Sequence, residues 1–212
     1  MRFPFTGLAA LLLSGCSRHL YTAPVPVEGP RVPKPAAAPP MPNVPAPTGT
    51  GTAAGADVVN YIIARNLLIP VAGMPLGRLQ DTFDEGRDVG RIHRALDILA
   101  PRGTPVLSAD SGRIIRLGTN ALGGNIVYAQ DPQGRVVYYY AHLDAWQPGL
   151  AQGAAVARGD TLGFVGTTGN APKDTPHLHF QVMRMPSDGR YWDGDAINPY
   201  PLFLLMRDPS QP

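Results

Sequence analysis

From residue 70 onward the chain is broken into short apolar runs separated by Gly, Asp and Pro turns, with no apolar periodicity long enough for a helix of three turns. Such a chain buries its apolar faces by pairing neighbouring strands, so the spacing predicts a mostly antiparallel β domain with one core. Val106 to Ala109, the turn Asp110-Ser-Gly112, and Arg113 to Leu117 read as one hairpin. Asn125 to Gln130, the turn Asp131-Pro-Gln-Gly134, and Arg135 to His142 read as a second. Thr161 to Val165 and His177 to Met183 are two further strands. Ahead of them, Val58, Val59, Ile62, Ile63, Leu67 and Leu68 recur at helical spacing behind a capping Asp57, which predicts a short helix. Leu67 to Val71 reads equally as the start of a strand.

The N-terminal quarter has a different character. Arg2 and an apolar run from Phe3 to Leu13 read as a signal peptide, because the run is about half of the ~20 residues a membrane span needs, and its end, Leu13-Ser-Gly-Cys16, resembles the lipobox of bacterial lipoproteins. Cys16 is the single cysteine, so it is expected to carry lipid and no disulfide is available to the fold. Residues 17–56 hold ten prolines between Pro24 and Pro47. Such a stretch cannot bury enough apolar area to fold and reads as an extended Pro/Ala-rich disordered linker, able to reach on the order of 100 Å. Residues 57–212 are then the folded domain, with its core at about 68–204. Ser17 after the lipidated cysteine points to the outer membrane, facing the periplasm, by likeness to lipoprotein sorting in double-membraned bacteria. The chain carries 18 basic and 16 acidic side chains. That near-neutral balance gives no reason to expect nucleic-acid or anionic-membrane binding by charge.

Four of the five histidines fall in three motifs: His93-x-x-x-Asp97, Tyr140-Ala-His142 and His177-Leu-His179. On a strand, His177 and His179 share one face, with Leu178 and Phe180 on the other. The same alternation puts Tyr138, Tyr140 and His142 on a common face. His93 and Asp97 approach each other whether their segment is helical or extended. A His/Asp set of this kind suits a zinc ion with an open position, although copper or nickel accepts the same donors. The helical His-Glu-x-x-His arrangement is absent, and Glu85, the one glutamate after residue 57, neighbours no histidine. A proton carrier must therefore be His or Asp, and the histidines not needed as ligands are the candidates. Singly, His142 reads as a packed strand histidine and His93 with Asp97 as a surface ion pair. Tyr138 and Tyr140 read as core or groove wall, Arg91 as a solvated residue or a substrate contact. Gly159, Gly163, Gly166 and Gly169 read as turn and close-packing positions, because no helix start follows them for a phosphate loop.

Arg91-x-His93-x-Ala-x-Asp97-Ile, Ala100-Pro-Arg-Gly-Thr-Pro-Val106, Tyr140-Ala-His142-Leu, Gly159-Asp160-x-x-Gly-x-Val-Gly-x-Thr-Gly169 and His177-Leu-His179-Phe together resemble the lysostaphin-like, LytM-type zinc metallopeptidases. The likeness runs from about Leu68 to Leu204, including Asn198-Pro-Tyr-Pro. It implies the compact antiparallel fold of that family and one zinc ion on His93, Asp97 and His179. It also implies that His142 and His177 serve as general base and oxyanion stabiliser. The implied reaction is hydrolysis of peptide bonds in peptidoglycan, in cross-bridges or cross-linked stem peptides. The alternative is a non-catalytic cell-wall regulator that binds peptidoglycan or activates an amidase, or works with a division partner; relatives of that kind have lost zinc ligands, and all five positions are intact here. Ala95 stands where many members have Gly, which implies a narrower groove or altered local backbone freedom.

Overall fold

A computed structural model describes residues 53–87 and 90–206. The stretch read as a signal peptide, Cys16 and nearly all of the Pro-rich segment lie outside the described residues.

The first element, α1, spans Ala53–Arg65. It begins four residues before Asp57, so the boundary expected at residue 57 falls inside the helix, and Asp57 does not cap it. Alanine has the best helix propensity, and the alanines ahead of Asp57 extend the helix backwards. Asp57 is instead an exposed helical residue paired with Arg135. The helix stops where Asn66 turns left-handed, at φ 51°, an ending that Asn tolerates better than most residues. Val58 and Ile62 are buried against the sheet. Arg65 then clamps the helix down, with Nε and one Nη each 2.8 Å from the carboxylate of Asp110.

Among the described residues nine strands form one sheet, every pairing antiparallel. They are β1 (Leu96–Leu99), β2 (Pro105–Leu107), β3 (Gly112–Asn120), β4 (Gly124–Gln130), β5 (Val136–Trp146), β6 (Ala155–Val156), β7 (Thr161–Val165), β8 (His177–Arg184) and β9 (Asp195–Ile197). The main order is β1-β8-β5-β4-β3-β6. The expected second hairpin is β4 and β5, and its turn is held by Asp131, whose carboxylate accepts from the backbone N–H of Gln133, Arg135 and Val136 at 3.0, 2.6 and 2.7 Å. The expected first hairpin does not exist. Strand β2 pairs with β7, and β3 pairs with β4 and β6. The reason is Asp110: it is only 3% exposed, and its carboxylate takes Arg65, the Tyr138 hydroxyl at 2.9 Å and the Ser111 N–H at 2.8 Å. Asp110-Ser-Gly112 is thus an interior corner sending the chain elsewhere, not an exposed turn joining two neighbours.

The core lies on one side of the sheet, where Leu96, Ile98, Tyr138, Tyr140, Leu178 and Phe180 interdigitate. A short α2 (Pro199–Leu205) closes it. Asn198 caps α2 by accepting the Tyr200 N–H at 2.9 Å, and Leu202 and Phe203 are buried. The opposite side carries a second, smaller apolar cluster of Ile126, Val137, Tyr139, Ala141 and Met183. This second side faces the candidate site.

Candidate metal centre

Strands β1 and β8 run side by side with Asp97 directly opposite His179. Ahead of β1 the chain kinks at Arg94, φ 58°, which brings His93 round to the same side. The kink is pinned by His93 N–H to Glu85 O at 3.0 Å and Arg94 N–H to Phe83 O at 2.8 Å. Thr82 organises both first donors. Its carbonyl accepts from His93 Nδ1–H at 2.8 Å, and its hydroxyl oxygen accepts the Asp97 N–H at 2.9 Å. With Nδ1 protonated, the lone pair of His93 is on Nε2, facing inward.

His93 Nε2, Asp97 Oδ1 and His179 Nδ1 form a nearly equilateral triangle with edges of 3.0, 3.1 and 3.0 Å. Ligands about 2.0–2.1 Å from one tetrahedral ion lie roughly 3.3 Å apart, so these donors fit a single zinc-sized cation. The set also has the right chemistry: two neutral imidazoles and one carboxylate leave a dication undercompensated, hence acidic. Burial pushes the Asp97 carboxyl up, but the His179 and His93 ring nitrogens set against Oδ1 outweigh it and hold the group well below the usual carboxylate range. Burial lowers the His179 imidazole, which keeps it neutral and available as a ligand.

His142 and His177 stand beside this triangle. The His142 ring centroid lies 4.9 Å from that of His177 and 5.6 Å from that of His179. Each donates Nδ1–H to a backbone carbonyl at 2.8 Å, His142 to Thr168 and His177 to Thr175, leaving both Nε2 lone pairs for the cleft. Burial lowers His142 to about 4, so it is neutral at neutral pH. His177 and His179 share a face, as strand alternation predicts. His142 does not share one with Tyr138 and Tyr140, which are core residues. A bulge in β5 and a left-handed φ of 62° at His142 swing it to the side of Tyr139 and Ala141. The glycine-rich segment before β8 makes this fit: Gly169 has φ 70°, and a Cβ there would stand 2.2 Å from Leu122 O. The Thr168 carbonyl beside it is thereby set against His142.

One residue escaped sequence reading. Arg87 donates to Asp97 Oδ2 at 2.5 Å, on the side of the carboxylate away from the triangle, and lies 3.6 Å from Glu85. A small loop, with Gly86 bridged to Ile92 and Arg87 N–H donating to Arg91 O at 2.8 Å, carries it there. Nothing in the local sequence distinguishes Arg87 from a solvated arginine. Arg91 is exposed on the cleft rim. Ala95 is fully buried and lines no part of the cleft, so the narrower groove is not seen, and it has no positive φ. The whole set opens on a cleft of about 590 Å³, walled by Tyr128, Tyr139, Asn120, Asn170 and Gln181.

A β-sheet with a His/Asp/His donor triangle and two further imidazoles on one cleft wall offers donors that could hold a divalent metal. The chain belongs to Peptidase family M23, whose model matches residues 91–199. It is 34% identical over 130 residues to the L-Ala--D-Glu endopeptidase of Bacillus subtilis, covering 58% of this chain and 38% of that protein. It is 41% identical over 121 residues to the DD-carboxypeptidase/endopeptidase Mpg of Neisseria meningitidis, covering 57% of this chain and 25% of that protein. The chain thus spans well under half the length of these curated relatives. Among solved structures, the catalytic domain of the antimicrobial peptidase lysostaphin from Staphylococcus simulans aligns with a TM-score of 0.47 and 26% identity, over 69% of this chain and 97% of that one.

Proposed function

We propose that the chain is a zinc-dependent endopeptidase that hydrolyses peptide bonds of bacterial peptidoglycan. The observation that carries this reading is the donor triangle of His93, Asp97 and His179, with His142 and His177 alongside and their Nε2 atoms free. A zinc ion held there supplies Lewis acidity that polarises a carbonyl and activates water. The protein's own part is positional. Thr82 and Arg87 orient two of the ligands, and the Thr168 and Thr175 carbonyls set the tautomers of His142 and His177. With Nδ1–H committed to a carbonyl, each imidazole has Nε2 to take a proton from the attacking water, and the N–H so formed donates a hydrogen bond to developing negative charge and passes the proton to the leaving amine. Relatives named as an L-Ala--D-Glu endopeptidase and a DD-carboxypeptidase/endopeptidase support peptide-bond hydrolysis rather than one scissile bond.

The same proposal places the domain on a lipid anchor at Cys16, at the outer membrane facing the periplasm, with the Pro-rich segment as its tether. The test is to incubate the full zinc-loaded chain with purified peptidoglycan and identify products by mass. New free amino termini, lost with chelator and with His179→Ala, support the reading. A protein that binds zinc, releases no peptide and instead accelerates a cell-wall amidase overturns it.

A further inference from the structure

A line of aromatic rings leaves the metal centre. The ring of Tyr139 lies 5.9 Å from that of His179, Tyr128 is 4.4 Å from Tyr139, Tyr191 is 5.1 Å from Tyr128, and Trp192 is 4.9 Å from Tyr191. Tyr128 belongs to β4 and Tyr139 to β5, while Tyr191 and Trp192 lie in the connection from β8 to β9. The line is therefore assembled by the fold, not by any one segment. Its inner two members wall the cleft, and its outermost, Trp192, is 58% exposed.

The connection that presents Trp192 is well tied. Tyr191 N–H donates to Gly189 O at 2.9 Å, and Asp193 N–H to Arg190 O at 2.9 Å. Gly194 packs so closely that a Cβ would meet Arg184 O at 2.4 Å. A large apolar ring held out at the end of a continuous aromatic wall marks a contact surface more than a stray exposed residue does. The charges around it are paired with each other: Arg184 with Asp195, and Arg190 with Asp188 at 2.6 Å and Asp193 at 3.6 Å. Arg116 acts on Tyr128, further in, so it is the outer end of the wall, at Tyr191 and Trp192, that favours an uncharged ligand. An uncharged molecule with flat C–H faces and polar edges matches rings that are amphipathic in the same way, and pyranose sugars have that form.

We propose that Tyr128, Tyr191 and Trp192 form a saccharide subsite that stacks an N-acetylhexosamine of the glycan bearing the peptide in the cleft. This rests on the peptidoglycan reading above. The enzyme then selects peptides still attached to their sugar.

The test compares cross-linked muropeptides carrying their disaccharide with the same peptides after the sugar is removed. Wild-type zinc-loaded chain is expected to prefer the sugar-bearing substrate in kcat/KM. Trp192→Ala is expected to lower that preference about tenfold, mainly through KM. Unchanged preference in Trp192→Ala overturns the subsite and leaves the peptidase reading standing. Should wild type cleave neither substrate, the peptidase reading fails, and calorimetry with N-acetylglucosamine tetramer decides the subsite. Binding lost in Trp192→Ala sustains the subsite; no binding by wild type overturns it. Equal melting temperatures of the two proteins establish that Trp192→Ala folds.

Discussion

Replacing Arg87 by alanine should weaken zinc binding without touching a ligand. Asp97 divides its two oxygens: Oδ1 faces His93 and His179 at 3.0 and 3.1 Å, and Oδ2 is taken by Arg87 at 2.5 Å. The guanidinium therefore holds the carboxylate in one rotation, with one oxygen aimed at the donor triangle. Loss of such an outer partner typically costs 10–100-fold in metal affinity. Arg87 is 35% exposed, so water reaches the vacated oxygen and replaces part of the bond. The expected loss is therefore near tenfold, or about 1.4 kcal/mol. Arg87→Lys should fall between wild type and Arg87→Ala, because an ammonium keeps the charge but not the planar fork. The assay is competition for zinc against a chromophoric chelator at fixed pH and salt. His179→Ala, which removes a ligand outright, sets the lower bound. Affinity of Arg87→Ala within twofold of wild type, measured beside a clearly weakened His179→Ala, would refute the assigned role.

Treatment with chelator should abolish peptide release, and stoichiometric zinc should restore it; activity that survives with metal content below a tenth of the protein would count against the donor triangle. His142→Ala should lose about 10²–10⁴-fold in kcat while keeping full zinc content, as removal of a proton carrier does, and metal analysis alongside turnover separates this from loss of the ion. Arg65→Ala strips the buried Asp110 of its cation and should destabilise the fold by about 3 kcal/mol, lowering Tm by roughly 6–12 °C in a thermal melt. A fall under 2 °C would mean that α1 is not clamped through this pair.

The motif histidines and Asp97 were legible because ligand chemistry demands particular side chains, and strand parity places His177 with His179 without any tertiary information. The β4–β5 hairpin was legible for a similar reason, since the Asp131 turn closes on its own neighbouring N–H groups. Asp110-Ser-Gly112 has the same composition as a surface turn and failed as one. Its carboxylate is satisfied by Arg65 and Tyr138, 45 and 28 residues away. The start of α1 was misplaced because a capping Asp57 is a local signal, and the alanines before it continue the helix. The second side of the sheet, with its own apolar cluster under the cleft, has no signature separate from ordinary strand alternation.

The sequence by itself determined the chemistry on offer: antiparallel strands, and four histidines with one aspartate in three short motifs. Those follow from side-chain type and from periods of one or two residues, whereas the division into metal ligands and proton carriers came from the family resemblance. Only the tertiary structure decided where that chemistry points. His142 obeys no parity because a bulge and a left-handed residue in β5 carry it across the sheet. Arg87 reaches Asp97 only because the Gly86–Ile92 bridge and the Arg87 N–H to Arg91 O bond set it there, and the aromatic line to Trp192 exists only where three elements meet. Each depends on contacts between residues distant in the chain, and such contacts are settled by the packing of the whole domain.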